Sequence, residues 1–306
     1  MAKNLKVQKK IFTARNVTLY LFLFPAVIYY AIFHYAPMYG ALIAFQDYNP
    51  FRGMSESPWV GLKHFEAFFG GVYFVRLLRN TVLLSLYGLI FSFPMPIIFA
   101  ILLNEVKSKK YRSTIQSLSY LPHFVSTVII CGLIVQFLAP NTGLIARVFE
   151  SFAKSPVDLL DQAKWFRTIY IVSGIWQTMG WGSIIYFAAL STINLSLYEA
   201  ADIDGAGRFQ KIMHISLPGL LPTIITLLIL DIGRILNVGF EKVMLLYRSS
   251  TYETADVIST YVYRSGLISQ QYSFAAAVGL FNSLVGLILV LASNYSAKRI
   301  ANQSLW

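Results

Sequence analysis

Charge, and acid in particular, is scarce in this chain: 13% of its 306 residues are charged and 14 are acidic. Cysteine is scarcer still, with Cys131 alone. A single cysteine excludes an intramolecular disulfide, and inside an apolar run it reads as a small buried hydrophobe. The four histidines, His34, His64, His123 and His214, share no metal-ligand spacing and join no His-Cys cluster, which leaves no candidate metal centre. No Gly-x-x-x-x-Gly-Lys-Ser/Thr string occurs, so the chain has no ATP site of that kind. The apolar runs contain no Ser-Lys, His-rich or paired-Asp constellation, which argues against a membrane hydrolase. No internal repeat is visible either, which argues against an ion-coupled carrier built from inverted repeats.

What the chain has in excess is apolar surface. Hydrophobic residues make up 56% of it and the mean hydropathy is +0.59, too high for a soluble domain of this length. Runs of about 20 mostly apolar residues, each long enough to cross a bilayer, fall at roughly 17–36, 80–104, 118–139, 168–192, 219–240 and 274–296. The expected fold class is therefore an all-α membrane protein with six transmembrane helices and both termini on one side. The first run is longer than a signal-peptide core and ends in Phe33-His34-Tyr35-Ala36-Pro37 without a small-residue cleavage site, so it is expected to stay. Pro25, Pro94, Pro96 and Pro222 are expected to kink spans or mark their first turns.

Charge asymmetry chooses the side. Lys3, Lys6, Lys9, Lys10, Arg15, Lys107, Lys109, Lys110, Arg112, Arg208, Lys211, Lys298 and Arg299 set 13 basic residues against four acids on the side of the termini, and the other side carries 12 against 10. Basic residues near span ends resist translocation, so the termini are expected in the cytoplasm. The net charge of +11 follows from this asymmetry and carries no expectation of nucleic acid. Residues 1–16 read either as a basic amphipathic helix on anionic lipid or as a tail that only sets orientation. The outward loops are long, at about 40, 28 and 33 residues, and loops of that length in a compact protein usually bind something. The first, with Phe45-Gln46-Asp47-Tyr48-Asn49-Pro50 and Pro58-Trp59-Val60-Gly61-Leu62, is suited to receive a soluble protein or to cap the bundle.

One segment is too polar for its surroundings. Residues 198–218, between the fourth and fifth runs, are expected to form a helix over Tyr198–Asp204, a break at Gly205-Ala206-Gly207 where positive φ costs little, and a second short helix over Arg208–Ser216. Phe209, Ile212 and Met213 have the spacing of one apolar face, and Leu217-Pro218 is expected to end that helix. The acidic first half argues against a hairpin resting on anionic headgroups. Such a knob is a docking element for another protein.

This segment resembles the signature loop of ABC importer permeases: Glu-Ala-Ala, three residues, Gly, nine residues, Ile, one residue, Leu-Pro. Glu199, Ala200, Ala201, Gly205, Ile215, Leu217 and Pro218 meet every fixed position, and the place between spans four and five is also the family's. The stretches Ala201-Asp-Ile-Asp-Gly-Ala, Ile235-Leu-Asn-Val-Gly-Phe-Glu and Thr260-Tyr-Val-Tyr-Arg-Ser-Gly-Leu, with the terminal Ser304-Leu-Trp306, are similar to the sugar-permease branch associated with oligo- and polysaccharide uptake.

The resemblance implies a type I, maltose-permease-like ABC importer fold in a bacterial inner membrane, with 17–297 as the permease domain, a cytoplasmic helix-turn-helix coupling loop at 198–218 and a cytoplasmic tail at 298–306. It implies four kinds of partner: a second permease as a heterodimer, two ATPase subunits that bind ATP and Mg, an extracellular substrate-binding protein and a carbohydrate. It further implies that Glu199 meets a basic group of the ATPase, that Gly205 permits the turn, and that Ala200, Ala201 and Phe209 fill the ATPase cleft, with Asp204, Ala206, Ile215, Leu217 and Pro218 completing the loop. No enzymatic activity or cofactor is expected in the chain itself. A permease for a peptide, amino acid or anion, and more distantly an ion-coupled carrier, remain the alternatives.

Polar groups within the spans are candidates for the substrate pathway, because they are costly there unless paired or hydrated. Asp231, Arg234 and Asn237 follow one another at i, i+3 and either lock helices together or line an aqueous cavity. Trp176, Gln177 and Trp181 in the fourth run and Tyr120 and His123 in the third supply aromatic faces and hydrogen-bonding groups suited to sugar rings, although Trp near a span end also serves as an interface anchor. In similar sugar permeases the substrate site is formed by the helices on either side of the signature loop.

Overall fold

The computed structural model describes residues 14–153, 158–233, 235–236 and 238–301. Among these it is helical, with one isolated β-bridge between Gln46 and Trp59. Four helices are long and apolar enough to cross a membrane: α1 Val17–Phe45, α2 Phe74–Asn104, α7 Arg208–Gly233 and α9 Tyr272–Arg299. Two bent pairs raise the total to as many as six if each pair counts as one span. The first pair joins α3 Lys109–Phe124 to α4 Thr127–Leu138 at 97°, and the second joins α5 Ala163–Ser191 to α6 Leu195–Ile203 at 72°. A short helix α8, Phe240–Leu246, lies between α7 and α9. The expected N-terminal segment and the C-terminal tail lie mostly outside the described residues.

The α3 to α4 corner has a local cause. Pro122 removes a backbone donor near the end of α3, Val125 is extended, and Ser126 then caps α4 by accepting the Ile129 N–H at 3.4 Å, so the chain restarts in a new direction.

Proline acts through another device elsewhere. Three π-helical turns, Ala31–Tyr35, Gly88–Ser92 and Ile212–Ser216, stand just before Pro37, Pro94 and Pro218. A proline ring clashes with the carbonyl four residues back, and each such carbonyl, on Phe33, Ile90 and His214, belongs to one of these wider turns. Pro25 and Pro222, expected to kink their spans or mark their first turns, lie within continuous α-helix. Pro218 corrects a further expectation. Leu217-Pro218 does not end the helix after the glycine break; the π turn absorbs the proline, and α7 runs without interruption from Arg208 to Gly233.

α5 is the central helix and packs on α2, α3, α7 and α8. Ile97 and Ala100 of α2, Tyr186 and Leu190 of α5 and Leu220 of α7 form one buried cluster. Gly180 permits the closest approach, since a Cβ there would fall 2.1 Å from the Ser119 carbonyl oxygen of α3. Small residues serve this purpose between membrane helices, where dispersion contacts replace the hydrophobic drive. α1 packs chiefly through Tyr39–Phe45 against α9, and its preceding apolar residues are exposed.

The long outward connections are built of short helices and are pinned to the spans. Tyr48 N–H donates to Ser273 Oγ at 2.9 Å at the start of α9. Asp256, fully buried, accepts both ends of the Arg264 guanidinium at 2.8 and 2.7 Å and the Thr260 hydroxyl at 2.8 Å, with Arg76 of α2 at 3.5 Å. Asn80 of α2 donates to the Glu253 and Asp256 carbonyls at 2.9 and 3.0 Å and accepts from Arg167 of α5 at 2.9 Å.

Removing one member of a buried pair strands the other charge, so Asp256→Asn is expected to cost about 3–5 kcal/mol. Asp158→Asn, which loosens a partly exposed pair with Arg248, is expected to cost about 0–1 kcal/mol. Thermal unfolding of the detergent-solubilised protein checks this, and equal shifts in the two variants would contradict it.

Candidate functional site

The polar segment folds into a braced knob. Asn194 caps α6 by accepting the Ser196 N–H at 3.0 Å. At the other end the Ala206 N–H reaches the Ala201 carbonyl at 2.8 Å and the Gly205 N–H reaches the Asp202 carbonyl at 3.2 Å. This is the 6→1 and 5→2 pairing of a Schellman termination, with Gly205 at φ +74° in the left-handed position. Gly207 takes φ −70° and donates its N–H to Gln210 Oε1 at 2.7 Å. Two contacts tie the limbs together: Lys211 to Asp202 at 2.5 Å and Tyr198 Oη to Ser216 Oγ at 2.9 Å.

The bracing leaves an outward face. Glu199, Ala200, Asp204, Gly205 and Pro218 are exposed, Ala201 and Ala206 are half-buried in the turn, and Ile215 and Leu217 are half-buried at the root. Phe209 is 74% exposed, and Ile203, absent from the expected site residues, is 87% exposed. An apolar face that large, set beside an exposed carboxylate on a rigid turn, has the character of a docking surface.

A cavity of about 800 Å³ lies between α2, α5, α7 and α8, within the ~300–1,000 Å³ range of small-molecule sites. It gathers four of the expected pathway residues: His123, Gln177, Trp181 and Asp231. The His123 and Trp181 rings stack with centroids 4.6 Å apart and planes 2° from parallel, presenting a flat aromatic wall. Gln177 and Trp181 are i, i+4 on α5 and share one helix face. Trp176, a residue earlier, faces a separate apolar pocket of about 370 Å³ beside Leu133 and Phe137. Tyr120 is outside the cavity lining and is hydrogen-bonded to Ser183 of α5. Arg234 and Asn237 lie outside the described residues.

Sequence reasoning missed part of this wall. Ser85, Gly88 and Ser92 contribute from α2, where the π turn faces the cavity, and Tyr170 and Lys242 contribute from α5 and α8. Lys242 Nζ donates to the Tyr170 carbonyl at 3.1 Å and lies 5.1 Å from the centre of its ring. Burial pulls this ammonium down to about 8. The cation stood just past an apolar run, and only the return of α8 onto α5 brings it to the cavity.

Residues 67–302 match the family model described as binding-protein-dependent transport system inner membrane component. Over 292 residues the chain is 46% identical to protein LplB of Bacillus subtilis (strain 168), covering 95% of this chain and 92% of that one. Over 288 residues it is 44% identical to the polygalacturonan/rhamnogalacturonan transport system permease protein YteP of the same strain, covering 94% and 90%. Among solved structures it superposes with a TM-score of 0.87 and 47% identity, covering 94% of this chain and 97% of the other, on a chain of a bacterial ABC transporter involved in the import of the acidic polysaccharide alginate.

Gly205→Ala places a Cβ in the left-handed region at a cost of about 1–2 kcal/mol and is expected to speed amide exchange over residues 200–206. Gly207→Ala, at ordinary φ, is expected to leave that exchange unchanged. Hydrogen-exchange mass spectrometry separates the two, and matching profiles would refute the role given to Gly205.

Proposed function

The chain belongs to the family of binding-protein-dependent transport system inner membrane components, and from that membership we infer that it is the permease subunit of an ABC importer for an oligosaccharide or other complex carbohydrate. It is a membrane-integral transport subunit. The observation that carries the substrate class is the cavity, with its aromatic wall and polar groups set between the helices on either side of the knob. Trp181 and His123 offer a face for the apolar side of a sugar ring, while Gln177, Asp231 and Ser85 offer hydrogen bonds to its hydroxyls. Polygalacturonan, rhamnogalacturonan and alginate in the names of its relatives agree with this class.

In the proposed assembly the termini and the knob face the cytoplasm, as the distribution of Lys and Arg favours. Residues 17–297 form the permease domain and 198–218 its coupling loop. A second permease pairs with this one as a heterodimer, and two ATPase subunits bind ATP and Mg²⁺. An extracellular binding protein delivers the glycan. Glu199 meets a basic group in the ATPase cleft, which Ala200, Ala201, Ile203 and Phe209 fill. ATP-driven closure of the ATPases moves the knob, and the motion reaches the cavity through α7, which joins the two.

The assembled transporter in proteoliposomes tests this reading. Glu199→Lys is expected to abolish uptake and substrate-stimulated ATP hydrolysis while the protein still inserts; normal uptake in this variant would defeat the docking role. Gln177→Ala combined with Asp231→Ala is expected to lower uptake about tenfold, the scale of one or two lost hydrogen bonds. Copurification of the ATPase with this double variant should be unaffected. Unchanged uptake would remove both residues from the pathway.

A further inference from the structure

Lys242 is 8% exposed, and its ammonium has three donors. It makes one hydrogen bond among the described residues, to the Tyr170 carbonyl at 3.1 Å. Every Asp and Glu of the chain is among those residues, yet none is within ion-pairing distance of Lys242. A buried cation without a carboxylate partner is unfavourable. The cation also borders the cavity, so the space where a counter-ion belongs is the space the substrate occupies.

We propose that Lys242 is the specificity-determining cation of this cavity and that its counter-ion is an acid group of the transported glycan, such as the carboxylate of a uronic acid residue. This rests on the carbohydrate-permease reading and narrows it to acidic sugars. The carboxylate ion-pairs with Nζ while the ring lies against the aromatic wall, and no bond is made or broken. Arg in place of Lys242 keeps the charge; Gln keeps a donor for the Tyr170 carbonyl but loses the charge.

The test uses the complete importer with its binding protein in proteoliposomes. The probes are tri- to pentasaccharides of galacturonate and of alginate, each as the free acid and as the methyl ester. Wild type is expected to take up at least one acid form and to favour it over its ester. Lys242→Gln is expected to lose about tenfold in uptake of that acid, as for one charge-assisted hydrogen bond, with a smaller loss in uptake of the ester. Lys242→Arg is expected to retain the preference. Wild-type acid preference in Lys242→Gln, a collapse of acid and ester uptake together, or no preference in wild type would each overturn the proposal while leaving the carbohydrate reading in place. Failure of wild type to move any of these glycans, with uptake of a peptide or amino acid instead, would overturn both.

Discussion

The structure depends on satisfying polar groups where there is little water to do so. Its centre of that effort is Asp256. One buried carboxylate holds the Arg264 guanidinium by two hydrogen bonds and has Arg76 of α2 beside it, while Asn80 joins the neighbouring carbonyls to Arg167 of α5. The connection from α7 to α9 is thereby fastened to two spans. That fastening folds α8 back against α5, and α8 supplies one wall of the cavity. A buried pair of this kind adds little net stability compared with apolar packing; its contribution here is register, since the donors and acceptors fit in one arrangement.

The cavity and the knob use opposite solutions to the same problem. At the knob, backbone groups freed at the end of α6 are taken up by a Schellman turn, Asn194 caps its start and Gln210 accepts the Gly207 N–H ahead of α7, so the exposed face can be apolar without leaving broken hydrogen bonds beneath it. In the cavity the polar groups of α2, α5, α7 and α8 face inward with room between them. Lys242 is the extreme case. Its burial is tolerable for a cation that meets an anion during its working cycle, and costly for one that does not.

Much of this was legible in the residues. Runs of sufficient length located the spans, and the Glu-Ala-Ala to Leu-Pro spacing located the knob, because both are set by local chemistry. The start of α7 was missed because Arg208–Ser216 read as a separate short helix of the knob, ended by Leu217-Pro218, when it is the first part of one helix that runs on to Gly233. A π turn makes that proline compatible with helix, and nothing in composition announces one. Trp176 and Gln177 were grouped as aromatic and amide groups of one run; adjacent positions on a helix are about 100° apart, and the two face different pockets. Lys242 was invisible for a different reason, since its partner Tyr170 lies 72 residues earlier in the chain and only tertiary packing brings them together.

Continuity of α7 has a kinematic consequence. From Arg208 to Asp231 the helix rises about 1.5 Å per residue, a rod of about 35 Å with the proposed docking face at one end and the cavity at the other. A tilt of about 10° about the cavity end sweeps the knob through about 6 Å, so a modest angular change at Asp231 corresponds to a displacement larger than a helical turn at the surface. The π turn at Ile212–Ser216 lies near the far end of that rod, so the departure from α-helical register sits beside the proposed docking face, and the stem that borders the cavity, Leu217–Gly233, is α-helical throughout.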